Sequence, residues 1–199
     1  QAFGGKTRIE VVDTQLTTMC LGLLATLAAR EARDGKSLDD LLAIVRSAIP
    51  RSHGMALLDS ARYVLKGGRL GKSGALLGAL VRVKPMLEIK DGWVRPSGVT
   101  RTRSQGLERL CQYVTKHLPV EAIAVVQGNA AEEAEELAGR IRGLSPHTPP
   151  IMAKLGSAIG VHGGPGTLLV ALRESGGEAG RARARKFTLP TLRIPRRQQ

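Results

Sequence analysis

Residues 120–126 read Val-Glu-Ala-Ile-Ala-Val-Val, and residues 130–142 follow as Ala-Ala-Glu-Glu-Ala-Glu-Glu-Leu-Ala-Gly-Arg-Ile-Arg. The first stretch is a compact apolar run, the pattern of a strand buried on both faces. In the second, Ala134, Leu137, Ala138 and Ile141 recur at helical spacing, while Glu136 and Arg140 form an i, i+4 ion pair on the outer side. Asn129 and Glu132 read as a capping pair for this helix. A buried strand feeding an amphipathic helix is the unit of an α/β fold.

The pattern continues in both directions. On the C-terminal side, Pro146–Pro150 is a loop. Ile151–Ala153 and Thr167–Leu172 are strands, separated by the glycine-rich loop Gly160–Gly166. On the N-terminal side, a helix over Ser104–His117 presents Leu107, Leu110, Cys111 and Val114 on one face. Met86–Ile89 reads as a strand, Asp91-Gly92 as a two-residue hairpin, and Trp93-Val94 as the start of the return strand. Ser37 caps a helix over Ser37–Ala48, with Asp39 and Asp40 in its first turn, and Pro50 stops it. A β-branched run, Arg8–Asp13, reads as the first strand and precedes a buried helix over Thr17–Ala32. The second half of the Gly-rich basic segment Lys66–Pro85 reads as a helix packed through Leu76, Leu77, Leu80 and Val81. No internal repeat is present. The expected architecture is α/β, with a mixed or mostly parallel sheet flanked by helices.

Composition narrows the function classes. The 199 residues hold one Trp, two Tyr and two Phe, so the core is aliphatic. The longest apolar run, Met19–Ala29, falls short of the roughly 20 residues that span a bilayer. The opening Gln1-Ala2-Phe3-Gly4-Gly5 has no basic n-region, so a cytoplasmic location is expected. It also lacks an initiator Met, and the chain is read as part of a longer one. Cys20 and Cys111 stand far apart among apolar neighbours, as buried free thiols. The net charge of +13 is high, but eight Lys or Arg against two Glu lie from Arg173 onward. Residues 1–172 are therefore read as the folded body, and 173–199 as a basic, flexible tail.

Four groups of residues are candidates for chemistry. His162, set among glycines and a proline, has an imidazole suited to a carboxylate; its alternative role is a turn histidine capping a carbonyl. Thr14, Thr17 and Thr18 place hydroxyls where a helix begins, beside free backbone N–H groups. They suit an anion, or simple N-capping. Arg69, in the turn Lys66-Gly67-Gly68-Arg69, could meet an anion or remain solvated, and the spacing there is not that of a nucleotide-binding P-loop. Arg101 and Arg103 open a helix, where positive charge is locally unfavourable and hints at an anionic partner. No metal cluster, paired carboxylates or Ser-His-Asp order emerges from the sequence, and no cofactor is expected.

Taken in order, four segments resemble the DegV family: VVDTQLTTMCLG from Val11, LKGGRLGKSGALLGALVRVKPMLEIKDGWV from Leu65, VTRTRSQGLERL from Val99, and IGVHGGPG from Ile159. The resemblance covers about Arg8 to Leu172 and implies the C-terminal portion of a DegV-like fold, its N-terminal domain absent from this chain. It implies a non-enzymatic protein that buries a long-chain fatty acid and presents the carboxylate to a separate fatty acid kinase. By motif position, His162, Thr14 and Thr18 would bind the carboxylate. Arg69, Arg101 and Arg103 would stand near the head group or dock the kinase. Met19, Leu23, Leu77 and Leu80, with Leu24 and Leu76, would line the acyl channel, unless they are ordinary core. Transient contact with a membrane surface is admitted, and nucleic acid is not expected as an obligate partner.

Two departures from the family pattern stand out. Nothing matches the Thr-Ser-x-Pro-Ser-type loop of the family's N-terminal domain. Thr14 and Thr18 replace serines and Cys20 replaces a glycine, which narrows the head-group end. Two other classes remain open: a nucleic-acid-binding basic protein, for which the aromatics are few, and a small-molecule enzyme, which would need a general base beyond His162.

Overall fold

The computed structural model describes residues 7–67 and 83–176. Two long helices come first, α1 (Thr18–Arg33) and α2 (Leu38–Ala48), then a 3-10 turn, β1 (Ser52–Leu57) and the short α3 (Arg62–Lys66). The hairpin β2 (Lys84–Lys90) and β3 (Trp93–Thr100) follows, and then α4 (Arg103–Lys116), β4 (Val120–Gly128) and α5 (Ala131–Leu144). The described chain closes with β5 (Ile151–Lys154), α6 (Ser157–Gly163) and β6 (Thr167–Glu174).

The six strands form one open sheet in the order β3-β2-β1-β6-β4-β5. It is mixed: β4 and β5 pair in parallel across α5, and the other four pairings are antiparallel. A mostly parallel sheet is thus not what forms. The hairpin and the return of β6 between β1 and β4 insert antiparallel pairs that need no crossover helix.

Alternation along the strands sorts the core into two layers. On one face, Leu57, Met86, Ile123, Val125 and Leu172 pack with Leu110 and Val114 of α4 and with Leu137 and Ile141 of α5. On the other, Ala56, Leu87, Ile89, Leu169 and Ala171 pack with Cys20 and Leu23 of α1. The helices expected from apolar spacing within the described residues form. Ser37 closes a capping box with Asp40, and Thr102 closes another with Gln105. Asp91 and Gly92 adopt φ of 51° and 76°, the pair of positive values a type I′ hairpin turn requires. Pro96 is tolerated because β3 is an edge strand.

Several expectations are corrected. Arg8–Asp13 forms no strand; Ile9 and Val11 are 57% and 89% exposed. The stretch has β-branched residues but no partner strand among the described residues. Asn129 does not cap α5. It takes φ of 57°, a left-handed turn that Asn tolerates, and Gln127 Oε1 accepts the Ala130 N–H at 2.9 Å instead. The loop Gly160–Gly166 is half helix, because α6 runs to Gly163. The ordered body also continues past Leu172. Arg173 lies in β6 and is 5% exposed, donating from Nε to Glu121 Oε1 at 2.7 Å and from a terminal nitrogen to the Leu23 carbonyl at 2.8 Å. Residues 177–199, and the helix read over the second half of 66–85, lie outside the described residues.

β1 carries no comparable sequence signal. His53 and Gly54 are poor strand formers, yet β1 sits inside the sheet between β2 and β6. Gly54 is required by packing: a Cβ there would press on Cys20 Sγ of α1 and on Ile89. Cys20 is fully buried, and burial pushes its thiol up to about 12. Cys111 is also buried and free. Both should therefore resist a disulfide thiol reagent in the native protein and react once it is unfolded in guanidinium. Fast native labelling of Cys20 would mean that α1 does not seal the sheet. Gly106 of α4 lies against Leu57, where a Cβ would run into both Leu57 methyl groups. Gly106→Val should destabilise the protein by about 1–3 kcal/mol, the usual range for overpacking, measured by urea unfolding.

Candidate functional site

The helices do not cover the α1 face of the sheet completely. A cavity of about 460 Å³ remains between the sheet, the N-terminal end of α1, α3 and α6. Its floor is apolar, with Ala56 and Leu58 from the β1 segment, Leu87 and Ile89 from β2, and Leu169 from β6. Val64 of α3 and Ile159 of α6 form walls, and Trp93, 64% exposed, stands at the hairpin edge. An adjoining open depression of about 430 Å³ shares Thr17, Ile89, Trp93 and Val94, so apolar surface continues around the hairpin tip. The Gly92 N–H donates to the Gln15 carbonyl at 3.1 Å, joining that tip to the segment before α1.

Polar groups enter this cavity from two sides. Thr17 and Thr18 line it where α1 starts. Thr17 is the N-cap of α1 by position, but its side chain caps nothing, and the first turn holds no acidic residue. The amino end of a 16-residue helix, with its partial positive charge, is therefore left uncompensated at the cavity. Thr18 adopts φ of 50°, uncommon for a β-branched residue and of the kind that concentrates at functional sites. From the opposite side comes His162, in the last turn of α6. Its Nδ1 is buried, packed against Gly67, and has no hydrogen-bond partner among the described residues.

The placement of His162 has a local cause. α3 and α6 pack together, and a Cβ at Gly67, just after α3, would collide with the imidazole. Gly164 ends α6 with φ of 76°, against the Tyr63 ring. The glycine that matters most to His162 is thus 95 positions away in sequence, in the Lys66-Gly67 turn.

Of the residues singled out in sequence, Thr18 and His162 meet at the cavity. Thr14 is not among its lining residues; its hydroxyl accepts the Leu16 N–H at 3.3 Å in a local turn. Leu23 and Leu24 are core, and Met19 packs against the Leu23 cluster without lining the cavity. Arg103 makes a two-pronged ion pair with Glu133, at 2.9 and 2.6 Å, which commits most of its guanidinium to the protein. Arg101 is exposed. Arg69, Leu76, Leu77 and Leu80 lie outside the described residues. The floor residues Leu87 and Ile89 are legible as one face of an alternating strand. Leu169 is not, because Leu168 and Val170 flank it, and Leu58 is not, because it ends a segment whose strand has no sequence signal.

A larger depression, about 720 Å³, opens at the end of β4. Glu132 and Glu133 line it beside a single Lys154, so its charge disfavours an anion. Among the described residues no helix is long and apolar enough to cross a membrane.

Comparison with known proteins places this geometry. A DegV domain-containing protein of Clostridium acetobutylicum is 35% identical over 167 residues, 82% of this chain and 58% of that protein. The chain spans 58% of the length of each of the first curated relatives it matches. Among solved structures, the fatty acid binding DegV family protein from Streptococcus agalactiae superposes with a TM-score of 0.74 at 26% identity, covering 84% of this chain and 60% of that one. A DegV family protein from Thermus thermophilus, described by its fatty acid binding, gives 0.73 at 26% identity, with 84% and 61% covered. The family model described as "Uncharacterised protein, DegV family" matches residues 1–174, and this chain belongs to the DegV family.

Proposed function

We propose that this chain supplies the head-group half of a binding site for a long-chain fatty acid, and that it is a carrier and not a catalyst. The observation that carries the reading is the cavity on the α1 face: an apolar floor, with the uncapped start of α1 and the His162 side chain in its lining. A carboxylate there accepts from the Thr18 hydroxyl, from backbone N–H groups of the first turn of α1, and from His162. The acyl chain runs over Leu58, Leu87, Ile89 and Leu169. Each buried methylene contributes about 0.8 kcal/mol, so few polar contacts are needed for affinity. The volume lies within the roughly 300–1,000 Å³ of ordinary ligand sites. The fatty-acid-binding relatives named above, which share the fold, support the ligand class.

We further propose that the bound carboxylate is presented to a fatty acid kinase. The sequence resemblance alone supports this step. Its expected product is an acyl phosphate, which hydroxylamine traps as the hydroxamate when loaded protein, ATP and the kinase subunit are mixed. No hydroxamate above the kinase-free control would remove the proposal.

The carboxylate reading makes a differential prediction. His162→Ala should weaken binding of a long-chain fatty acid by about 1–3 kcal/mol, the worth of a hydrogen bond to a charged group. It should change affinity for the fatty alcohol of equal length much less, because the methylene contribution is untouched. Thr18→Val should act in the same direction. Titration calorimetry measures both ligands. Equal losses for acid and alcohol would mean that His162 shapes the α3–α6 packing and does not read the head group.

A further inference from the structure

On the sheet face opposite the cavity, three side chains converge that the fatty-acid reading does not use. His53 on β1, Glu174 at the end of β6 and His117, the residue that ends α4, bring one ligand atom each to within 4.8 Å of one another. His53 Nε2 lies 3.4 Å from Glu174 Oε1. This nitrogen is buried and has no hydrogen-bond partner among the described residues. The two imidazole rings stand 4.7 Å apart, centroid to centroid, tilted by 38°.

The tautomer of His117 is settled by its neighbour. Its Nδ1 lies 2.8 Å from the Tyr113 carbonyl oxygen. A carbonyl only accepts, so Nδ1 carries the proton and Nε2 keeps its lone pair. That arrangement, one ring nitrogen donating to a backbone carbonyl and the other free, is how proteins orient a metal-binding histidine. Glu174 supplies the negative charge and the oxygen ligand of the group. The His53 and Glu174 side chains keep 25% and 37% of their surface exposed, which leaves an entry path.

We propose that His53, His117 and Glu174 form a binding site for one divalent transition-metal ion of the zinc type. Two imidazole nitrogens and one carboxylate oxygen suit zinc, whereas magnesium and calcium select oxygen. Zinc–ligand lengths imply ligand atoms about 3.3 Å apart in a tetrahedron. The 3.4 Å pair already meets that spacing, and the third ligand atom lies within 4.8 Å of both. Three protein ligands leave the fourth position to water. The ion joins the last turn of α4 to β1 and β6, and the site is independent of the carboxylate cavity across the sheet.

The test uses the full chain without an affinity tag, stripped with chelator and titrated with zinc against a chromophoric competitor. One ion per chain is expected, with a rise in melting temperature. Cobalt in place of zinc should give the intense visible bands of a four-coordinate N/O site. His53→Gln with His117→Gln, and separately Glu174→Gln, should weaken uptake by more than about tenfold, exceeding the loss that outer-shell changes produce. His162→Ala should leave it unchanged. Absence of a four-coordinate cobalt spectrum in the unmutated chain overturns the proposal without reference to whether any variant folds. Uptake that survives in the double His variant overturns it as well.

Discussion

The structure depends on β6, which is buried at seven consecutive residues from Thr167 to Arg173. It enters last of the described strands and takes the middle of the sheet, between β1 and β4. A strand in that position needs apolar cover on both faces, and two different layers provide it. α4 and α5 close one side completely. α1 closes the other only in part, and the uncovered area is the cavity described above. The single charge among those seven residues is Arg173, held by Glu121 and by the Leu23 carbonyl of α1. A guanidinium removed from water requires such partners. Meeting that requirement anchors the middle of α1 and so fixes where its amino end points. Cys20 resting on Gly54 fixes how closely the helix approaches. The location of the uncapped amino end of α1 at the cavity is thus a by-product of packing around one strand.

Much of this was legible in the sequence wherever a single period dominates. The apolar residues of α2, α4 and α5 recur at helical spacing on one face, and each helix appears within two residues of its expected bounds. Asp91-Gly92 specifies its turn through the positive φ that both positions adopt. Elsewhere tertiary structure overrode the local signal. Ile9 and Val11 have strand-forming side chains and no neighbour to pair with. β1 has a neighbour on each side and a sequence, His53-Gly54, that hardly favours a strand. Gly54 is there because a helix must approach, a reason no local pattern carries. Asn129 looks like a cap, but the backbone uses its tolerance of the left-handed region, and Gln127 provides the acceptor.

The site was half legible for the same reason. His162 and Thr18 can be picked out by residue type and motif, and the fold brings them to one cavity. Thr14 shares their chemistry, but its hydroxyl is engaged in a local turn. Gly67 was readable as part of a flexible turn, and its actual role is to make room for an imidazole. The His53, His117 and Glu174 group could not be read at all. Its members are 64 and 57 positions apart, on a strand that carries no sequence signal, a helix end and a strand end.

The aromatic scarcity of the chain acquires a use from where its one tryptophan falls. Trp93 stands at the mouth of the cavity, on the hairpin, with 64% of its surface in water. An acyl chain laid along Ile89 and Val94 replaces water on one side of the indole. The emission of that ring shifts toward the blue when its surroundings become less polar, and no second indole in this chain dilutes the signal. The protein therefore carries its own optical gauge of occupancy, with no label attached.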